Sequence, residues 1–195
     1  MSARPSSRAG PSDAATAKPV AASNPPSPAR VTARLCLTCG LCCDGTLFKD
    51  VELQPGDAPA DLEARGLPLR RVHGKTKFPQ PCAALNGCRC EIYRARPSHC
   101  RQFECLLFQS VSQGRTAIED ALRIIRDARG RAARVRRLLR ELGDEAEQVA
   151  LSVRFRRLRR RFEQGLGEPD QVERFGELTL AVHELNLALS GAFYS

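Results

Sequence analysis

The sequence predicts a mainly α protein, in which a small irregular α+β cysteine-rich domain precedes a C-terminal antiparallel helical segment. Three observations predict it. All nine cysteines lie between residues 36 and 105, and the 90 residues after Cys105 hold none. From Thr116 onward, apolar residues recur at steps of three and four, the period of an amphipathic helix. Residues 1–30 contain six prolines with much Ser and Ala and nothing large to bury, the composition of a disordered tail. The expected division is a tail at 1–30, a cysteine-cluster domain at 31–114 and a three-helix cap at 115–195.

Each element has a local cause. The cysteine run 36–43 follows the tail directly. Leu47, Val51 and Leu53 alternate weakly with Lys49 and predict a short strand. Pro55 opens a short helix that Gly66 ends, because proline is tolerated in a first turn. Leu69–Val72 and Lys75–Phe78 flank His73-Gly74 as a hairpin, and Asn86-Gly87 is a stronger turn signal joining 82–85 to 88–93. Pro97 starts a short helix that carries Cys100 and extends toward Cys105. Thr116-x-x-Glu119 reads as a capping box. Behind it, Ile118, Leu122, Ile125, Ala132, Leu139 and Leu142 form a stripe that Gly143 closes. A second helix is expected over about 145–164 with Val149, Val153, Phe155, Leu158 and Phe162 inward. A third starts at Pro169 with Val172, Phe175, Leu178, Val182, Leu185 and Leu189 inward.

Composition excludes several function classes. No run of 18 apolar residues is present, so no membrane span is expected. Residues 1–30 lack an apolar signal core, so a cytoplasmic, reducing setting is expected, and there clustered cysteines read as metal ligands and not as disulfides. The formal charge of +9 is uneven: +7 falls on 115–164 and −4 on 165–195. Arg outnumbers Lys by 27 to 4, and no nucleic-acid-reading motif accompanies it. The arginines are expected on solvated helix faces, with nucleic acid not a partner. No Ser–His–Asp set, phosphate loop or paired-carboxylate signal is present, so no catalytic residue is assigned and enzymatic activity is left open.

The chemistry lies in the thiols. Cys36, Cys39, Cys42 and Cys43 fill eight residues as Cys-x-x-Cys-x-x-Cys-Cys. Thiols three apart on a tight turn can face one ion, and a soft or borderline metal is the common target. Three such thiols with a remote fourth also match iron–sulfur binding. Neighbours Cys42 and Cys43 point in different directions, so they serve two centres, or one is spare. Five more thiols follow, Cys82, Cys88, Cys90, Cys100 and Cys105. His99 adjoins Cys100 and reads as a neighbour of the site instead of a ligand.

These residues also carry a resemblance. Cys36 to Cys43, then Pro81-Cys82-Ala83-Ala84-Leu85, Cys90-Glu91-Ile92-Tyr93 and Arg96-Pro97-Ser98-His99-Cys100-Arg101-Gln102-Phe103, resemble the signature of the bacterial cysteine-cluster proteins called YkgJ-like, over about residues 34–106. Cys88 falls outside that pattern, so the matched set with Cys105 added has eight members, Cys36, Cys39, Cys42, Cys43, Cys82, Cys90, Cys100 and Cys105, enough for two tetrahedral sites or for one cluster plus an ion. The resemblance implies a domain that chelates zinc or iron. A relative, the flagellin lysine methylase, carries a similar cysteine set associated with an iron–sulfur cluster. The expected cofactor is thus zinc or iron, with an iron–sulfur cluster as one form, in a structural or redox role. Two alternatives follow. One is an iron–sulfur component of a protein- or peptide-modifying enzyme, which would need a protein partner. The other is an Arg-rich nucleic-acid adaptor stapled by a structural metal.

Overall fold

A computed structural model describes residues 27–194. The expected tail at 1–30 lies almost wholly outside the described residues. The chain is mainly α with small antiparallel sheets, as the periodicities require. The first difference comes at once. Helix α1 spans Pro28–Cys39, so Cys36 and Cys39 sit on the last turn of a helix and not in a loop. The cause is a buried stripe of Val31, Leu35 and Cys39, at steps of four, which the neighbouring prolines and cysteines obscure in the sequence.

After the cysteine run, β1 (Asp50–Glu52) pairs antiparallel with β3 (Lys75–Pro79), and β3 pairs with β2 (Arg70–Val72). Between β1 and β2, α2 (Pro59–Ala64) starts later than its expected Pro55. The His73-Gly74 hairpin is present, and both residues adopt positive φ. A two-residue pair of strands, β4 (Leu85–Asn86) and β5 (Arg89–Cys90), forms the second hairpin with Gly87 at its turn. The core of this region is small: Val51, Leu62, Leu67, Phe78 and Ala84 are its buried members. Two short helices follow, α3 (Ser98–Gln102) and α4 (Leu106–Ser112).

The large core belongs to the helices. α5 (Ile118–Glu141) runs between α1 on one side and α7 (Val172–Leu189) on another, with α6 (Leu151–Glu163) also against it. Ion pairs from Arg134 to Glu184 and from Arg174 to Glu141 show that α5 and α7 run antiparallel. The stripe of α5 is made chiefly of Ala121, Ile125, Ala128, Ala132, Val135, Leu138 and Leu139. Three of these are alanines, and Ala121 and Ala128, although alanine is the best helix former, are easily passed over when a sequence is scanned for large apolar residues.

Three expectations need correction. Thr116 does not cap α5: its N-cap is Ala117, and the Thr116 hydroxyl is 2.7 Å from that of Ser110. α6 begins at Leu151 and not near 145, because Asp144 holds the preceding segment as a turn through its own side chain. Val172 is exposed at the start of α7, while Leu178, Ala181, Leu185 and Leu189 are buried. Among the described residues no helix is long and apolar enough to cross a membrane.

Candidate metal centre

The thiols arrive on five different pieces of chain. Cys36 and Cys39 come from the end of α1, and Cys42 and Cys43 from the turn after it. Cys82 precedes β4 and Cys90 ends β5. Cys100 lies in α3, and Cys105 is the N-cap residue of α4. All nine cysteines are free.

Two glycines make the turn after α1 possible. Gly40 (φ +70°) reverses the chain, and a Cβ there would stand 3.4 Å from Cys88. Gly45 (φ +79°) ends the cysteine run, and a Cβ there would stand 3.0 Å from the Ala150 Cα and 3.1 Å from Pro81. Both positions need the left-handed conformation that glycine adopts without strain. The loop is held from outside by the helical body. Arg136 Nη2 donates to the Asp44 carboxylate at 2.9 Å, to Thr46 Oγ1 at 2.9 Å and to the Asp44 carbonyl at 3.3 Å. The Leu151 N–H donates to the Gly45 carbonyl at 3.0 Å. Arg129 Nη1 reaches the carbonyls of Thr38 and Cys39 at the end of α1, where a cation complements the helix dipole. Across the site, the Cys82 N–H donates to the Cys43 carbonyl at 2.8 Å and ties the hairpin to the loop.

Two adjoining cavities lie among the sulfurs. The larger, about 110 Å³, is lined by Cys36, Cys42, Cys43, Cys82, Cys90 and Cys100, with Cys88 at its wall. The smaller, about 30 Å³, is lined by Cys36, Cys39, Cys42 and Cys105 against the helical core. Every one of the eight expected ligands therefore lines at least one cavity. Among the described residues no three Cys, His, Asp or Glu side chains close on one point as finished ligands do.

Desolvation pushes the Cys36 and Cys82 thiols up to about 11 and those of Cys39 and Cys100 to about 12, from an ordinary 9.0, and neighbouring thiols push the same way. Burial raises Cys90 and Cys105 as well. Cys43 is raised first by its hydrogen bond to Cys42 and then by burial.

The donor set nevertheless fits zinc or iron. Backbone N–H groups of Leu41, Ala84 and Ile92 face the sulfurs of Cys39, Cys82 and Cys90, each two residues back, and favour the thiolate. The Phe108 N–H donates to Cys105 Sγ at 3.4 Å. Arg96 lies against this wall, its guanidinium 3.7 Å over the Tyr93 ring, and its charge lowers the cost of ionising Cys36, Cys43, Cys90 and Cys100. Gln80 lines the larger cavity, is 2% exposed, and its Oε1 has no hydrogen-bond partner among the described residues. A buried amide oxygen in that position calls for a polar occupant.

The other expected residues are placed as follows. His99 packs edge-on against Phe48 at 6.0 Å and stacks near Phe103 at the wall of the larger cavity. His73 lies in the β2–β3 turn, and His183 is exposed on α7. The Cys88 thiol donates to the Thr38 carbonyl at 3.4 Å, and Arg129 Nη1 is 2.6 Å from its sulfur. Sequence reasoning missed Gln80, Gly45, Arg129 and Arg136. Asp44-Gly45 could have been found as a turn signal. Gln80 and the two arginines carry no local signal, because their partners or their burial come from distant segments.

Residues 35–119 match the CxxCxxCC family model, described as "Putative zinc- or iron-chelating domain". The match runs from α1 through the first turn of α5 and so extends past the motif-bearing segment. No curated protein and no solved structure matches the chain.

Proposed function

We propose that the protein holds zinc or iron through the thiolates of Cys36, Cys39, Cys42, Cys43, Cys82, Cys90, Cys100 and Cys105, and that the metal fastens the sheet region to the helical body. The observation that carries this reading is the lining of two adjoining cavities by all eight thiols, delivered by α1, its following loop, the second hairpin, α3 and α4. A structural role is supported by the disparity of the two cores. The helical core has more than twenty buried members and the sheet region five. Small regions of that kind are marginal without a staple, and a structural thiolate-bound zinc contributes ~10–16 kcal/mol of apparent binding energy near neutral pH. Unpaired thiols of this number also fit a reducing, cytoplasmic setting.

The test is elemental analysis and absorbance of protein purified without oxygen. One or more equivalents of zinc in a colourless protein supports the structural reading. Iron with broad visible absorbance moves the reading to an iron–sulfur centre and a redox role. Less than about a tenth of an equivalent of either, with the fold unchanged by a chelator, refutes chelation.

Carboxylates already meet much of the positive face of α5, where Arg131 and Arg134 pair with Glu184, Arg137 with Glu141 and Arg140 with Glu147, which disfavours the nucleic-acid alternative there; α6 keeps Arg156, Arg157, Arg160 and Arg161 exposed and outside the ion pairs among the described residues.

A further inference from the structure

We infer that the eight thiols form two separate four-thiol centres joined at Cys42–Cys43: Cys36, Cys39, Cys42 and Cys105 against the helical core, and Cys43, Cys82, Cys90 and Cys100 on the hairpin side. The inference rests on the chelation reading and goes beyond it by assigning each ligand to a centre. Cavity geometry makes the division. Cys39 and Cys105 line only the smaller cavity. Cys43, Cys82, Cys90 and Cys100 line only the larger. Cys36 and Cys42 stand between and line both.

Backbone connections repeat the same division. Cys43 and Cys82 share the 2.8 Å hydrogen bond across the site, and the Leu85 N–H donates to the Cys82 carbonyl while Leu85 pairs with Cys90. Cys105 instead opens α4, whose Leu107, Phe108 and Val111 sit in the same core cluster as Cys39. The first centre therefore takes Cys36 and Cys42 to reach four ligands, the number a tetrahedral zinc or a four-iron cluster accepts. The second has four without them. Cys88, although at the wall of the larger cavity, is engaged by Thr38 and Arg129 and is not needed.

The test uses the full chain, reduced and metal-free, titrated with cadmium, whose thiolate bonds absorb in the ultraviolet. The wild type should bind about two equivalents. Cys39→Ser and Cys105→Ser should each leave about one, and the Cys39→Ser/Cys105→Ser pair should still leave about one, because both act on the same ion. Cys90→Ser and Cys100→Ser should behave likewise toward the other ion, whereas Cys39→Ser/Cys90→Ser should bind close to none. A variant too unstable to titrate is bypassed by alkylating wild-type protein loaded with one equivalent and mapping protected thiols by mass. Protection should correlate within each set of four. A wild type with about two equivalents in which every single variant loses both ions, or in which protection mixes the two sets, overturns the division in favour of one merged cluster and leaves chelation standing. A wild type that binds no cadmium, zinc or iron overturns chelation itself.

Discussion

Arg154→Met gives the sharpest test of how the helical body supports the site. Arg154 is 1% exposed and Asp144 9%. Its Nε donates to Asp144 Oδ1 at 2.8 Å and its Nη2 to the Asp144 carbonyl at 2.6 Å. Methionine fills similar space but removes both bonds and strands a buried carboxylate that then keeps only the Ala146 N–H. Two hydrogen bonds involving charged groups are worth about 1.5–3 kcal/mol each, and breaking one side of a buried pair costs about 3–5 kcal/mol. For a chain of this size that is a fall of roughly 6–20 °C in Tm. Asp144→Ala/Arg154→Met should recover much of the loss, because no charge is then left buried; about 1–2 kcal/mol should remain for the Ala146 N–H and the residue-144 carbonyl, which both lose these partners.

The same turn ends at Ala150 and Leu151, which press on and hydrogen-bond Gly45 at the end of the cysteine run. Arg154→Met should therefore also speed metal release to a chelator several-fold, and the double variant should slow it again. Urea unfolding of the loaded protein reads the first effect, and release to a coloured chelator reads the second. A loss under about 1 kcal/mol would refute the assignment of a buried, load-bound ion pair, and a large loss with unaltered release would refute the link to the cysteine loop.

Other outcomes follow from the same geometry. Gly45→Ala should destabilise by about 1–3 kcal/mol and lower metal retention, since its Cβ meets backbone at 3.0 Å with φ at +79°; Gly66→Ala, with nothing near, should retain metal normally. Leu139→Asp places a charge in a fully buried position and should cost more than about 4 kcal/mol, whereas exposed Arg157→Glu should change stability by less than about 1, as thermal melts would show. In metal-free protein the Cys36 and Cys39 thiols on α1, at about 11 and about 12, hold protons that unfolded thiols have lost above 9.0, so stability should fall as pH rises from about 9 toward 12 and be insensitive to these groups below 9. Loaded protein should instead lose metal toward acid, where protons compete for thiolates, and urea melts across pH would expose any reversal of these signs.

What the sequence made legible were features with local causes. The hairpins at His73-Gly74 and Asn86-Gly87 were readable because turn chemistry acts over two residues, and α5 and α7 because a three-and-four repeat runs through each. The eight thiols were named by spacing and resemblance, and all of them line the cavities. Illegible features depend on distant partners. α1 needs α5 to make Val31 and Leu35 worth burying. The Thr116 cap failed because Ser110 competes for the hydroxyl, and the start of α6 shifted because Asp144 is engaged by Arg154, ten residues on. Gln80 is polar in the sequence and buried only because β3 delivers it to the cavity wall.

The two unequal cores give metal a regional task. Val31, Leu35, Leu139, Leu178 and Leu185 belong to a cluster of more than twenty buried residues in which Cys39 is one member, so the helices have a reason to fold that does not rest on the thiols. Between Phe48 and Glu104 the apolar core has five buried members, the strands have two to five residues, α2 and α3 are short, and Cys82, Cys88, Cys90 and Cys100 line the larger cavity. Removing the metal should thus melt this region and spare α5 and α7. Hydrogen exchange with and without a chelator would show it as loss of protection across β1 to α3 with the helices still slow. Cooperative loss of both regions at once would mean that the metal supports the whole fold, and that the helical core is weaker than its buried residues imply.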